Sequence, residues 1–315
     1  MRLAFIKCHG SGNDFPLVDA RALSLSDAEW GGVARALAAR DGPVGGDGLL
    51  LLTRGGARHA FGQRMFNPDG TEAETCLNGL RCTARLGLEA YGLAEARVAL
   101  PSSEAQVRAD APLAPGVATI EERAGPADLD VAAWPLRVGL DRVVDAALPP
   151  LDPHARFTAV AMPNPHLVRF VDRVDEAELV RIGLLCEAAP PWLPNRANVS
   201  FVEARPDGLF VRTHERGVGL TDACGSAIAA STYAACLTAR IAWDQAITVW
   251  NRGGPVRARA APDGMVTLSG NATFEWAGEA EVDPATAVAR ALVVTHRFDA
   301  ETRAWAAALA EPTPA

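Results

Sequence analysis

Lysine is almost missing from this 315-residue chain: Lys7 is the only one, and arginine supplies every other one of the 30 basic side chains. Asp and Glu total 38, which sets a net charge of −8. A body this acidic, with its arginines scattered rather than gathered in a stripe, argues against a nucleic-acid partner. Long apolar runs are missing too. The leucine run Leu49–Leu52 is four residues, and nothing approaches the ~20 that a membrane-spanning helix requires. The first nine residues carry Arg2 and Lys7 among few apolar ones, which does not read as a secretory signal, so the expected compartment is the cytoplasm. Six cysteines are present, Cys8, Cys76, Cys82, Cys186, Cys224 and Cys236, but no C-x-x-C and no Cys/His pair at zinc spacing. That excludes a disulfide scaffold and leaves no metal site to propose. A single cysteine of this kind is by default a small buried hydrophobe.

The rest of the composition is ordinary. Hydrophobic residues at 49% and charged residues at 22% belong to a folded globular chain, and the length suits about two domains. Leu3–Lys7 reads as a strand, His9–Asp14 as a glycine-rich loop and Phe15–Val18 as a second strand. Ser26-Asp-Ala-Glu29 reads as a capping box opening a helix to about Arg40. Leu49–Leu52 is a buried strand, Asn67-Pro-Asp-Gly70 a turn, and Cys76–Gly87 a helix. Prolines crowd residues 101–153, where the junction between halves is expected. Beyond it, strands are expected at 157–162, 167–171, 198–202, 209–213, 247–250, 256–260 and 265–268. Helices are expected at Asp175–Cys186, Cys224–Leu237 and Glu301–Ala310, with a frayed tail over 311–315.

The halves echo each other. Asn13 and Asn164, Gly48 and Asn198, Asn67 and Glu215, and Cys76 and Cys224 are separated by 148 to 151 residues and take similar places relative to the expected elements. A duplicated domain explains that near-constant offset. Each cysteine then opens a helix, where N–H groups without intrahelical acceptors attract an anion and lower a thiol pKa. If the two helix starts face one cleft, a carboxylate could sit between them with one sulfur on each side of its α-carbon. One thiolate would remove the α-proton, the other thiol would return one to the opposite face, and the centre would invert. No pyridoxal lysine motif or metal cluster is evident as an alternative electron sink.

The motifs match a family. Phe66-Asn-Pro-Asp-Gly-Thr-Glu followed by Cys76-Leu-Asn-Gly-Leu-Arg-Cys82 closely resembles the first signature of the diaminopimelate epimerases. His9-Gly-Ser-Gly-Asn-Asp-Phe15, Met162-Pro-Asn-Pro-His166, Arg196-Ala-Asn198, Glu215-Arg-Gly-Val-Gly219 and Ala223-Cys-Gly-Ser226 follow in order over about residues 1–282. The resemblance implies a mixed α/β (α+β) fold of two pseudo-symmetric domains, each a mostly antiparallel sheet or barrel around a central helix, with the site in the interdomain cleft. It implies an N-terminal domain over 1–130 with a returning strand at 272–283, a C-terminal domain over 131–271, and an extension over 284–315. It further implies an isomerase without cofactor, interconverting LL- and meso-diaminopimelate for lysine and peptidoglycan, and a homodimer.

By the same resemblance Cys76 and Cys224 are the acid/base pair, with His166 near Cys76 and Glu215 near Cys224. The backbone of Leu77, Asn78, Gly225 and Ser226 would hold the reacting carboxylate, while Asn13, Asn67, Asn164, Asn198, Glu215 and Arg216 would hold the rest of the ligand. A distal ammonium and carboxylate call for amide and charged partners, and Arg216 could grip the carboxylate with two parallel bonds. Taken singly, Asn13 and Asn67 read as turn formers, Asp14, Asp47 and Asp69 as turn or capping residues, and Glu215–Arg216 as a solvated pair. The chain departs from the family pattern at Leu77, where glycine is usual, at Gly48, where some relatives carry glutamine, and at Ala227. The readings to be weighed against this one are a proline- or histidine-type racemase, a non-catalytic amino-acid-binding protein, and a dithiol redox protein.

Overall fold

The computed structural model describes residues 1–73, 76–162 and 164–310. The expected tail at 311–315, together with Pro163 of the quoted motifs, lies outside the described residues. The chain forms two compact units: residues 1–122 together with 269–310, and residues 123–268.

The first unit runs β1 (Arg2–Gly10), β2 (Asn13–Asp19), α1 (Asp27–Ala38), β3 (Leu49–Gly56), β4 (His59–Phe66), β5 (Glu72–Ala73), α2 (Leu77–Tyr91), β6 (Glu95–Ala99), β7 (Glu104–Ala109) and β8 (Thr119–Ala124). The second runs β9 (Ala146–Leu148), β10 (Asp152–Ala161), β11 (Pro165–Phe170), α3 (Glu176–Glu187), β12 (Asn198–Arg205), β13 (Gly208–Glu215), β14 (Gly219–Thr221), α4 (Gly225–Leu237), β15 (Ile247–Asn251), β16 (Gly254–Ala260) and β17 (Val266–Asn271). The chain enters the second unit within β8 and leaves it within β17. It then completes the first with β18 (Thr273–Asp283), β19 (Val288–Arg297) and α5 (Asp299–Ala310).

Both units follow one plan. In the first, β1 and β2 pair as a hairpin, β2 lies parallel to β3, β3 antiparallel to β4, β4 parallel to β6, and β6 antiparallel to β7. In the second, β10, β11, β12, β13, β15 and β16 repeat that series pair for pair. Parallel neighbours need a crossover, and each crossover here is a helix: α1 and α2 in one unit, α3 and α4 in the other. The expected duplication is therefore visible as matched topology.

Local chemistry explains the elements that position the site. Ser26 and Glu29 form the expected reciprocal capping box at the start of α1. The leucines of β3 are all fully buried because the strand is covered on both faces. Alternation sends Leu49 and Leu51 to a core with Trp30, Val33 and Leu37 of α1. It sends Leu50 and Leu52 to a second core with Leu80, Cys82 and Leu88 of α2. Helix α4 is Ala-rich and buried along nearly its whole length, with no polar face, as befits a helix enclosed by its sheet. Cys8, Cys82 and Cys186 are buried in apolar cores and Cys236 is buried in α4, in line with their reading as packing residues.

Two expectations are corrected. The segment His9–Asp14 is not a loop: β1 extends to Gly10, β2 begins at Asn13, and only Ser11 and Gly12 turn, both in the left-handed region. Ladder pairing continues to the end of this hairpin and overrides the composition. The chain after 283 is integrated rather than appended, because β19 pairs along β18, and α5 packs on the first unit through Trp305 and Ala308.

Candidate active site

Each unit presents one cysteine at the N-cap of its second helix. Cys76 precedes α2 at φ −137°, ψ 107°, and Cys224 precedes α4 at φ −135°, ψ 112°. The backbone therefore bends into both helices in the same way, and each sulfur sits at the positive end of a helix dipole.

In the first unit, the Cys76 sulfur accepts the Gly79 N–H at 3.4 Å, serving as the cap acceptor that a Ser or Asp supplies elsewhere. The thiol donates to Asn13 Oδ1 at 3.5 Å. The orientation of that amide follows from its other end. The Asn13 NH2 donates to Asp47, whose carboxylate only accepts and which also takes the Asp14 N–H at 3.2 Å. The Asn13 oxygen therefore faces the thiol. Asp14 and Asp47 are in turn bound by Arg40, and the single lysine, Lys7, binds Asp14 and the Gly45 carbonyl. Burial pushes the Asp14 carboxyl up, but Arg40 and Lys7 outweigh it and hold it below its ordinary range. Asp47 is thus more than a turn residue. Its only sequence signal was two glycines on one side and one on the other, which tertiary pairing alone turns into an anchor.

Leu77 packs against the core of its unit, so the side chain that replaces the family's glycine is directed into apolar surroundings. Asn78 is buried and accepts from Arg81 Nη2 at 2.8 Å. Gly10 lies so close to this turn that an added Cβ would stand 2.4 Å from the Asn78 carbonyl oxygen. Gly48 is equally constrained: a Cβ there would stand 2.6 Å from the Phe66 carbonyl oxygen, so the glutamine of some relatives has no room on this backbone. The Asn67 side chain donates to Thr71 Oγ1 at 3.0 Å, and its backbone closes the 67–71 turn. This is the turn-forming role that Asn67 has when read singly.

Beneath α2 lies a charge that sequence reasoning missed. Arg81 is fully buried and pairs with buried Glu122 at 2.9 Å. Its other nitrogens reach Ser11 Oγ at 3.1 Å and the Asn271 carbonyl at 3.1 Å. Burial raises the Glu122 carboxyl to about 7 in spite of the guanidinium. A partner 41 residues away gives no local pattern by which to find it.

In the second unit, the Cys224 thiol bonds to the Glu215 carboxylate and lies 3.4 Å from Ser226 Oγ. Glu215 also accepts from Thr221 Oγ1 at 2.6 Å, and burial raises its carboxyl. The expectation that the helix start lowers the thiol pKa fails for Cys224. Burial pushes it well above its ordinary value and the neighbouring Glu215 adds to the rise, outweighing the stabilising contacts of Ser226 and the Ala227 N–H. His166 is fully buried, with Nε2 at 3.0 Å from Asn164 Oδ1, 3.1 Å from Ser226 Oγ and 3.4 Å from Asn198 Nδ2. Asn198 Oδ1 accepts the Arg216 N–H at 2.9 Å, and the Arg216 guanidinium donates to the Asn195 carbonyl at 3.0 Å. Thus Asn164, His166, Asn198, Glu215, Arg216, Cys224 and Ser226 form one connected constellation, with Gly225 the first residue of α4.

Two buried histidines have a consequence for pH. Burial lowers His166 to about 3 and His9 to about 4, from an ordinary 6.5. Between those values the unfolded chain binds more protons than the folded one, so stability is present above about 6.5 and drains away on acidification. At ~1.4 kcal/mol per unit, the pair contributes several kcal/mol of acid sensitivity. Thermal melting followed from pH 7 to pH 4 should show a steep fall, and His166→Gln should flatten it. An equal fall in that variant would contradict the assignment.

Comparison with known proteins agrees with the motifs. The family model for diaminopimelate epimerase matches residues 158–275. The chain is 35% identical over 294 residues to a diaminopimelate epimerase of Listeria innocua, covering 90% of this chain and 89% of that one. The chain belongs to the diaminopimelate epimerase family. It is therefore an isomerase. A diaminopimelate epimerase of Clostridium acetobutylicum is 33% identical over 97% of this chain and 93% of that one. Among solved structures, a predicted epimerase from Pseudomonas aeruginosa shares the fold at TM-score 0.64 and 18% identity, covering 89% of this chain and 99% of that one. The stretch matched by the diaminopimelate epimerase model holds Asn164, His166, Asn198, Glu215, Arg216 and Cys224, which is the connected constellation of the second unit. Among the described residues no cluster of His, Cys, Asp and Glu could hold a metal ion, and no helix is long and apolar enough to cross a membrane.

Proposed function

We propose that this protein epimerises LL-diaminopimelate to meso-diaminopimelate by a two-thiol proton transfer at the α-carbon, supplying lysine and cell-wall precursors. The observation that carries the reading is the matched placement of Cys76 and Cys224. Both occupy the N-cap of the crossover helix in equivalent positions of a repeated fold, at backbone angles within a few degrees of each other. Two such residues suit a reaction that has two mirror-related faces to serve.

In this reading one sulfur, as thiolate, takes the α-proton and the electron pair passes to the carbon and its carboxylate. The other sulfur, as thiol, gives its proton to the opposite face and becomes the thiolate. The proton count is unchanged and only the configuration differs. The partners of the two thiols differ in a useful way. Asn13 offers Cys76 a neutral acceptor, whereas Glu215 offers Cys224 a carboxylate that accepts from its thiol. The helix-start N–H groups of Leu77, Asn78, Gly225 and Ser226 stabilise the charge that develops on the reacting carboxylate. Arg216 binds the distal carboxylate, and the amides of Asn164 and Asn198 hold the ligand beside it. No cofactor takes part.

The test is solvent deuterium wash-in at the α-carbon of reduced protein, comparing LL- and meso-diaminopimelate with proline and histidine. Rapid exchange with diaminopimelate, accompanied by inversion, is expected. Faster exchange with proline or histidine would move the assignment to another amino acid, and binding without exchange would make the protein a binding module.

A further inference from the structure

The C-terminal helix reaches the turn that carries Asn13. Trp305 of α5 is buried, and its ring lies 5.9 Å from the imidazole of His9, tilted by 55°. The Nδ1 of that imidazole accepts the Gly12 N–H at 3.3 Å and the Asn271 NH2 at 3.2 Å. Two donors on one nitrogen leave it unprotonated, so the ring carries its hydrogen on Nε2. Asn271 closes the arrangement, since its oxygen accepts the Ser11 N–H at 2.7 Å. Ser11 and Gly12 both hold left-handed backbone, at φ 52° and φ 80°, and Ser11 has a side chain that resists it. A strained turn persists only where its surroundings hold it. Here the hold comes from the His9 ring and Asn271, with Arg81 donating to Ser11 Oγ.

The helix is itself anchored close by. Glu301 takes both terminal nitrogens of Arg85, at 2.5 and 2.8 Å, and accepts the Phe274 N–H at 3.1 Å. The same guanidinium sits 3.9 Å over the Phe274 ring. Trp305 completes a small apolar cluster with Val117 and Ala308. The chain of contact runs from Trp305 to His9, to Gly12, to Asn13 and so to the thiol.

We propose that α5 is a brace for the catalytic turn, with Trp305 and His9 as positioning residues that fix Asn13 against Cys76. The role in turnover rests on the function proposed above, whereas the effect on the Cys76 thiol does not. The Asn13 bond to S–H favours the protonated sulfur, so loosening the turn frees the thiolate.

The experiment alkylates the reduced protein with iodoacetamide at pH 7.5 and maps the rates at Cys76 and, as an internal control in the other unit, Cys224. Trp305→Ala and His9→Ala are expected to speed alkylation of Cys76 about three-fold and leave Cys224 unchanged, with the double variant no faster than either alone. Trp305→Phe keeps a ring against His9, and His9→Asn keeps an acceptor for Gly12, so both should stay near the parent. In parallel, α-proton exchange should fall about ten-fold in the two alanine variants, the scale expected for a displaced contact. A lowered melting temperature with an unchanged Cys76 rate in both would overturn the proposal and leave Trp305 as packing alone. If the parent exchanges no diaminopimelate, the function fails, and the alkylation rates still decide the brace. Should Trp305→Ala fail to fold, His9→Ala and His9→Asn decide the question through the same two rates.

Discussion

Alanine at Cys224 is expected to slow epimerisation by about 10⁴-fold, the upper end of what a positioned proton carrier contributes, and alanine at Cys76 is expected to do the same. The expectation follows from the separate surroundings of the two sulfurs. Cys224 is tied to Glu215 and Ser226, and Cys76 to Asn13 and the Gly79 N–H. In the two-thiol scheme each sulfur serves one face of the α-carbon, so removing either takes away the proton carrier for that face. Circular dichroism should show both variants folded, because each cysteine sits at a helix start and is only partly shielded from solvent. Chiral analysis of the product is the decisive reading. Measurable inversion in either alanine variant would mean that one thiol serves both faces, and the two-thiol scheme would fall. Cys236→Ala, which alters a buried thiol of α4 outside the constellation, should keep its activity.

The largest effect on stability is expected at Arg81. Replacement by methionine leaves the Glu122 carboxylate fully buried without its cation, and breaking a buried pair from one side typically costs about 3–5 kcal/mol. For a chain of this size the melting temperature should fall by roughly 10 °C. Pairing Arg81→Met with Glu122→Gln should return a good part of the loss, since no charge is then stranded. The pH dependence has a definite sign. Burial already raises Glu122 to about 7, and removing Arg81 raises it further. Below about 7 the parent's carboxyl holds its proton as well, so the folded variant and parent differ in protonation mainly above that value, and the deficit, measured at the same pH, narrows as the pH is lowered from about 9 toward 7 and is nearly level below about 6. A deficit that is constant with pH, or no larger than that of an exposed arginine variant, would show that Glu122 is not held as a buried charge. Because Arg81 also supports Asn78 and Ser11, the variant should lose exchange activity even where it remains folded.

How legible the site was depends on how far each interaction reaches along the chain. The Ser26–Glu29 cap spans three residues and could be read directly. So could the buried leucines of β3 and the two helix starts at Cys76 and Cys224. The near-constant spacing between the halves pointed to the repeat, which the strand pairings display. By contrast, β7, within the proline-rich stretch, went unread although Glu104–Ala109 alternates polar and apolar residues, and β8 and β19 gave weak alternation and went unread too. The last two are strands because a neighbouring strand needed a partner, not because of their own pattern. Asn67 shows the reverse case: its side chain is engaged in the local turn that its sequence context favours.

Residue order by itself determined the family, the helix-capping cysteines and the doubling of the fold, because those depend on short spacings and on motifs that survive without coordinates. Tertiary structure alone decided which way the Asn13 amide faces, that Arg81 is buried against Glu122, that α5 reaches His9, and that the Cys224 thiol is pushed up rather than down. The physical reason is common to all four. Burial and charge pairing act through space, between residues 34 to about 300 positions apart or enclosed by several elements at once, and neither the dielectric around a group nor its partner is written in its immediate neighbours.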